Sequence, residues 1–324
     1  MWIGTLFALV AGLVWGLVFI APVLLPEYPP ALLSFGRYMA FGLIALPLGW
    51  LDRANLRQLT RSDWREATQL ALVGNLLYYC FLATAIQLAG APLPTVIIGT
   101  LPVVIALSAN GRNAWRDGKL PWQRLLPSLG LILGGIALVN RAELALLADR
   151  GGFDLSHYGL GALLAACGVV CWTWYPIRNA DWLRAHPDRN PRTWATAQGL
   201  VTLPLAAIGY IGFGLWNGFR ADAFPMPFGP RPEAFVITMF AIGLLASWVG
   251  TLCWNEASQR LPTAIVGQLI VFETLAALAY ALALRGVLPP PGTLIGAALL
   301  VAGVLWALQG GGLRPAAEAE PMAH

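Results

Sequence analysis

Two charged residues lie inside runs otherwise built for hydrocarbon: Arg37 in ALLSFGRYMAFGLIAL and Glu273 in GQLIVFETLAALAY. A carboxylate at mid-membrane costs about 2.5 kcal/mol or more, so it has to be neutral, paired or hydrated. Glu273 therefore has two readings. It is a titrating site that takes up and releases protons, or a structural acid bonded to the freed backbone of another helix or to Arg37. Arg37 has three: it snorkels to the interface, holds a substrate carboxylate, or pairs with an acid.

Uncharged polar residues form a pattern of their own. Asn75 and Tyr79 are four apart and share one helix face, and Ser247, Thr251 and Asn255 make the same stripe on a later helix. Trp15, Tyr78, Tyr79 and Trp248 flank that face deep in their apolar runs, with Trp172 nearby, and Thr95, Thr100 and Gln268 are further polar candidates. One reading is a central cavity in which amides and hydroxyls orient a polar head while rings stack on an aromatic or flat apolar body. The plain alternative is hydrogen bonding between neighbouring helices. Trp174, Tyr175 and Trp254 lie near the ends of their spans, where an interfacial aromatic belt competes with a cavity.

Other chemistries lack their residues. The chain contains no G-x-S-x-G, no H-E-x-x-H and no phosphate-cradling Walker loop. A membrane-embedded enzyme is thus the weaker reading, and a nucleotide-driven pump has no motif to use. Cys167 and Cys171 are one helical turn apart, but no histidine falls near them, so neither a metal nor a cofactor is expected.

The elements that position these residues follow from composition. Of 324 residues, 58% are hydrophobic and only 11% charged, where a soluble domain carries about a quarter. Mean hydropathy is +0.66. Ten apolar runs are each long enough to cross a hydrocarbon core about 30 Å thick. They fall at about 2–25, 31–51, 66–88, 92–110, 125–142, 157–177, 193–216, 234–256, 263–284 and 292–309. The first has no basic leader and no small-residue cleavage site before the next span, so it reads as a retained helix. The net charge of +4 comes from arginines in loops and implies no nucleic acid.

Those arginines also orient the chain. The connections after spans 2, 4 and 6 are basic: Arg53, Arg57, Arg61 and Arg65; Arg112, Arg116, Lys119 and Arg124; Arg178, Arg184, Arg189 and Arg192. The alternate connections carry few, which places both termini in the cytoplasm. Residues 311–324, rich in Ala, Glu and Pro, read as a disordered cytoplasmic tail.

The chain also repeats itself. A shift of 172 residues lays spans 3 and 4 on spans 8 and 9 without a gap, matching Asn75 with Ser247, Tyr79 with Thr251, Ala83 with Asn255 and Pro102 with Thr274. Each half has five spans, an odd number, so the second copy sits upside down relative to the first. The expected fold is all-α and polytopic, with ten transmembrane helices as two inverted five-helix repeats, residues 1–142 and 157–310. Inverted repeats are a mark of alternating-access transporters, with the substrate held at the repeat interface near mid-membrane.

Four features carry a family resemblance: A-x-x-x-W-G at Ala11–Gly16, the intramembrane Arg37, the run from Ala85 and Gln87 to Leu101-Pro102, and the matching Phe272-Glu273-Thr274. In order over about residues 2–310, they resemble the drug/metabolite transporter superfamily in its ten-helix EamA-type form. Thr274 stands where that family usually has proline. The Trp254-Asn255 pair and the aromatic-rich spans are similar to YddG-type aromatic amino-acid exporters. The resemblance implies an exporter of small amphipathic metabolites in the bacterial inner membrane, aromatic and large hydrophobic amino acids first among them, with multidrug, sugar or nucleoside export as the alternative. It favours the structural reading of Glu273, because an acid there is common across members with unrelated substrates.

Overall fold

Where the solvent is lipid, each backbone N–H and C=O must find its partner inside the protein, and a single chain segment achieves this as a helix. The computed structural model describes residues 2–90, 92–112, 121–148, 155–286, 288 and 290–309, and no strand occurs among them. The first stretch runs as α1 (Trp2–Trp15), a 3-10 turn (Gly16–Phe19) and α2 (Ala21–Leu24), followed by α3 (Pro30–Leu51) and the short α4 (Arg53–Leu56). α5 (Arg61–Leu70), a π segment (Ala71–Leu77) and α6 (Tyr78–Ala89) form one continuous span. α7 (Pro92–Ile98) and α8 (Leu101–Arg112) are the two pieces of the fourth, and α9 (Trp122–Ala148) is the fifth.

The second half has the same order. α10 (Leu155–Ala185) and α11 (Pro191–Asn217) come first, then α12 (Pro232–Ile242), a π segment (Gly243–Val249) and α13 (Gly250–Arg260) as one span. α14 (Thr263–Leu269) and α15 (Val271–Arg285) form a two-piece helix, and α16 (Pro291–Gln309) closes the chain. The two π segments are separated by the same 172 residues as the sequence repeat. Among the described residues, seven stretches are long and apolar enough to cross a membrane, and three shorter apolar helices cover Leu101–Gly111, Leu125–Val139 and Pro291–Trp306. These ten stretches fall on the ten expected spans. The expected tail and the loop charges Arg116, Lys119 and Arg150 lie outside the described residues.

Helix ends follow local chemistry. Thr60 and Asp63 form a capping box at the start of α5, satisfying N–H groups that have no intrahelical partner. Proline opens α3, α11 and α12, where its missing N–H costs nothing. Gly286 ends α15 in the left-handed region at φ 61°, a conformation open to glycine without a Cβ penalty.

Equivalent helices of the two halves meet directly and run antiparallel. Along α3 and α11, Phe35 meets Gly209, Gly42 meets Leu203 and Ala45 meets Gly199. Along α9 and α16, Ser128 meets Gly303 and Gly135 meets Gly296. As one partner's number rises the other's falls, so the copies are inverted. The remaining packing exchanges the halves: α1 lies on α13 and α15, while α10 lies on α6 and α7.

Small residues make these seams close, because lipid tails give helices no hydrophobic reason to associate and close van der Waals packing has to do so. A Cβ on Gly12 would come within 2.9 Å of Phe272 Cβ and 3.0 Å of Glu273 N. The sequence of α9 carries a G-x-x-x-G repeat at Gly130 and Gly134, the spacing that lets helices approach closely, but here it is a different matter. Gly130 has nothing within 4 Å and Gly134 only Leu299 at 4.0 Å, whereas a Cβ on Gly135 would meet the Gly296 carbonyl oxygen at 2.6 Å. The seam of α9 is therefore one residue off its glycine repeat. Gly296→Val should lower the melting temperature in detergent, at an overpacking cost of about 1–3 kcal/mol. Gly130→Ala should leave it unchanged or raise it slightly, through a gain of up to about 1 kcal/mol in helix propensity.

Candidate functional site

The two π segments reach the centre of the bundle. Hydrogen bonds from i to i+5 widen a helix locally, a feature that recurs at functional sites. Here they carry Asn75 and Ser247 at matching positions. Ser34 of α3 donates to the Leu76 carbonyl at 3.1 Å, inside the first π segment. Glycine lets bulky rings come against these spans: a Cβ on Gly74 would lie 2.2 Å from the Tyr175 ring, and one on Gly250 would lie 2.5 Å from Trp15 Nε1.

A cavity of about 20 Å³ lies between the halves, room for roughly one water. Arg37, Glu273, Asn75, Ser247 and Thr251 are its polar lining residues, and Trp15, Tyr38, Tyr78, Trp172 and Tyr175 its aromatic ones. Trp15 and Trp172 meet edge to face with centroids 4.7 Å apart, and Trp254 backs both at 5.0 and 6.1 Å.

Arg37 is only 4% exposed. Its Nε donates to Ser247 Oγ at 3.0 Å, and its guanidinium lies 4.8 Å from the Tyr38 ring centre and 4.6 Å from that of Tyr79. A desolvated cation over a ring gains up to about 2 kcal/mol. Two rings and a hydroxyl thus offset much of the roughly 2.5–3.5 kcal/mol that inserting an arginine costs. Arg37 is held in place without an acid, and its Nη1 still has no hydrogen-bond partner. Glu273 is 3% exposed, and its Oε2 is likewise buried without a partner. Its backbone N–H bonds to the Ile270 carbonyl at 2.8 Å, in the tight turn that joins α14 to α15.

Of the residues singled out by sequence, Trp15, Asn75, Tyr78, Thr251, Arg37 and Glu273 come together on this cavity. Tyr79 stands behind it. Its hydroxyl donates to the Val18 carbonyl at 3.1 Å, the group whose helical partner is lost because Pro22 has no N–H. Asn255 lies apart, in a buried network: it accepts from Asn179 Nδ2 at 2.8 Å, while Asn179 Oδ1 accepts from Trp194 Nε1 and Gln198 Nε2, and Tyr175 donates to Gln198. Gln268 accepts from the Ser128 hydroxyl at 3.1 Å. Trp248 and Thr95 do not line the cavity.

Tyr38, Trp172 and Tyr175 line it without having been favoured by the sequence. Trp172 and Tyr175 are one turn apart in span 6, the counterpart of the span that carries Trp15, and that symmetry was the available signal. Tyr175 and Trp254 are 2% exposed, packed inside the bundle and not at an interfacial belt.

Both faces of the bundle are bridged. On one, Arg231 donates to the Glu27 carboxylate and to the Leu24 carbonyl, its N–H donates to the Tyr28 hydroxyl, and Tyr28 donates to the Phe228 carbonyl. On the other, Arg178 forms a two-pronged pair with Glu66 at 2.6 and 3.0 Å, and Trp182 Nε1 donates to Asp63 at 2.8 Å. Trp182 also stacks on Trp194 at 3.5 Å. The loops after spans 2 and 6 meet on this second face, where Arg189 donates to Gln58 at 2.7 Å.

An all-helical bundle of two inverted copies, with a charged and aromatic cavity at their seam, defines a polytopic membrane transporter. Comparison with known proteins gives the family. Residues 2–141 match the EamA-like transporter family. Inner membrane protein YtfF of Escherichia coli (strain K12) is 55% identical over 317 residues, covering 97% of this chain and 98% of that protein. An uncharacterized transporter of Archaeoglobus fulgidus is 25% identical over 296 residues, 90% of this chain and 92% of the relative. A solved crystal structure shares the fold with a TM-score of 0.69 at 19% identity, covering 94% of this chain and 97% of the other. The chain belongs to the EamA-like transporter family.

The Glu27 bridge has a pH dependence with a definite sign. Hydrogen bonding from Arg231 holds the Glu27 carboxyl below its ordinary value of about 4.5, so the bridge is fully present above that value and is lost as pH falls through the lowered one. Hydrogen exchange in residues 218–231, corrected for its intrinsic pH dependence, should rise below pH 4.5. Glu27→Gln should show the raised exchange already at neutral pH.

Proposed function

We propose that this protein is an alternating-access exporter of small amphipathic metabolites, foremost aromatic and large hydrophobic amino acids. The observation that carries the reading is the cavity itself, lined by residues of both antiparallel copies, with indole and phenol rings beside amide, hydroxyl and charged groups. A pocket that encloses a small ligand has about 300 Å³ or more. The present 20 Å³ therefore belongs to a form bridged on both faces, and binding requires one set of bridges to open. The halves, residues 1–142 and 157–310, rock about the α3–α11 and α9–α16 seams, exposing the cavity to one face and then the other.

The arginine-rich loops assign the Asp63 face to the cytoplasm and the Glu27 face to the periplasm. The inner membrane is the location named for the YtfF relative and is the one proposed for this chain. Trp15, Tyr78 and Trp172 stack on the substrate's apolar body, while Asn75 and Thr251 orient its polar head.

Counterflow of labelled phenylalanine in proteoliposomes preloaded with unlabelled amino acids tests this directly, with and without a pH gradient. Exchange driven by aromatic amino acids supports the exporter. Absence of exchange with every amino acid overturns that substrate class and turns the search to drugs, sugars or nucleosides. Tyr78→Ala should raise the half-saturating concentration of phenylalanine roughly 2- to 10-fold, the equivalent of one lost ring contact, and leave alanine little changed. Equal losses for both substrates would make Tyr78 a structural residue.

A further inference from the structure

We infer that Arg37 and Glu273 together form a recognition site for a zwitterion, with Arg37 taking a carboxylate and Glu273 an ammonium group. The inference rests on the exporter reading and deepens it by fixing the chemistry of the substrate's head. The juxtaposition is specific. An arginine and a glutamate, each at least nine-tenths buried, line one cavity at the interface of the two halves, and each keeps one atom unsatisfied: Arg37 Nη1 and Glu273 Oε2. If their purpose were mutual neutralisation, these atoms would bond to each other. Instead Arg37 is turned onto Ser247 and braced between the Tyr38 and Tyr79 rings, while Glu273 is anchored through its backbone at Ile270. Gly12 lets that backbone lie close against α1, since a Cβ there would lie 3.0 Å from Glu273 N.

Such a pair discriminates in two directions. A guanidinium offers a planar fork suited to a carboxylate, and a carboxylate accepts the N–H groups of an ammonium. A molecule that carries one charge alone leaves the opposite residue buried and unpaired, and a site built to bond a group rejects analogues that lack it far more strongly than a site that merely accommodates one. An α-amino acid satisfies both residues and adds no net charge to the closed cavity. Its side chain then falls against the rings of Trp15, Tyr78 and Trp172.

The test is competition in phenylalanine counterflow with the purified full-length protein, using three external competitors: phenylalanine, 3-phenylpropanoate (no ammonium) and phenethylamine (no carboxylate). Unlabelled phenylalanine should compete at least about tenfold better than either half-molecule. Glu273→Gln should erase its advantage over 3-phenylpropanoate while keeping that over phenethylamine, and Arg37→Lys should erode the second advantage more than the first. Should either variant fail to fold, the wild-type ratios decide alone. Wild-type exchange with a half-molecule competing as well as phenylalanine overturns the zwitterion site and leaves the exporter reading intact. Equal loss against all three competitors in Glu273→Gln overturns the role of that residue. A wild-type protein that exchanges no amino acid overturns both the site and the reading beneath it.

Discussion

Hydrocarbon as a solvent accepts no hydrogen bonds, and most of this structure follows from that one constraint. Every polar group set among the spans needs a partner from the protein itself. Pro22 frees the Val18 carbonyl, and the Tyr79 hydroxyl from another span takes it. Asn179 and Asn255 hold each other and tie three helices together, with Trp194 and Gln198 donating into the same amide. Satisfaction is not complete: Trp248 Nε1, Trp254 Nε1 and Gln268 Nε2 are buried without a hydrogen-bond partner, as are Arg37 Nη1, Tyr78 Oη and Glu273 Oε2, and the last three belong to residues that line the central cavity.

The same constraint explains why the fold is so legible in the sequence. Spans must be apolar for about twenty residues, so composition alone marks ten of them, and all ten expected runs coincide with helical stretches. The repeat at 172 residues reappears as the spacing of the π segments, and its inversion appears as antiparallel contact between equivalent helices. Legibility fails where geometry depends on the partner. The π segments add a residue to a turn without any change of residue type, so a periodicity of 3.6 does not reveal them. Gly135 is the seam glycine of α9 although the repeat points to Gly130 and Gly134, because the approach of α16 decides which face is close.

The site was half readable for a related reason. Asn75, Thr251 and Asn255 look alike in sequence, as polar residues within apolar spans. Two reach the cavity, while Asn255 lies beyond the indole cluster and bonds to α10 and to the start of α11. A stripe four residues apart fixes a face but not a depth, and only depth separates cavity from network. The rings divide in the same way: Tyr175 has the position of a belt residue in its span, yet Gly74 opens a recess that draws it inward. What it meets is set by a glycine about a hundred residues away.

Strength of contact also differs between the seams and the two faces of the molecule. The α3–α11 and α9–α16 seams join the halves on their symmetry axis through glycine and alanine at backbone distance, with interior packing on both sides. Breaking them would expose close-packed backbone along the length of a helix. The ion pairs at the two faces are of another kind: Arg178 is 44% exposed and Arg231 49%, and pairs of that exposure add little to stability. In the proposed rocking of the halves, these seams are the pivots and the surface ion pairs are the contacts that open, and because the copies are inverted one pair of seams serves both faces.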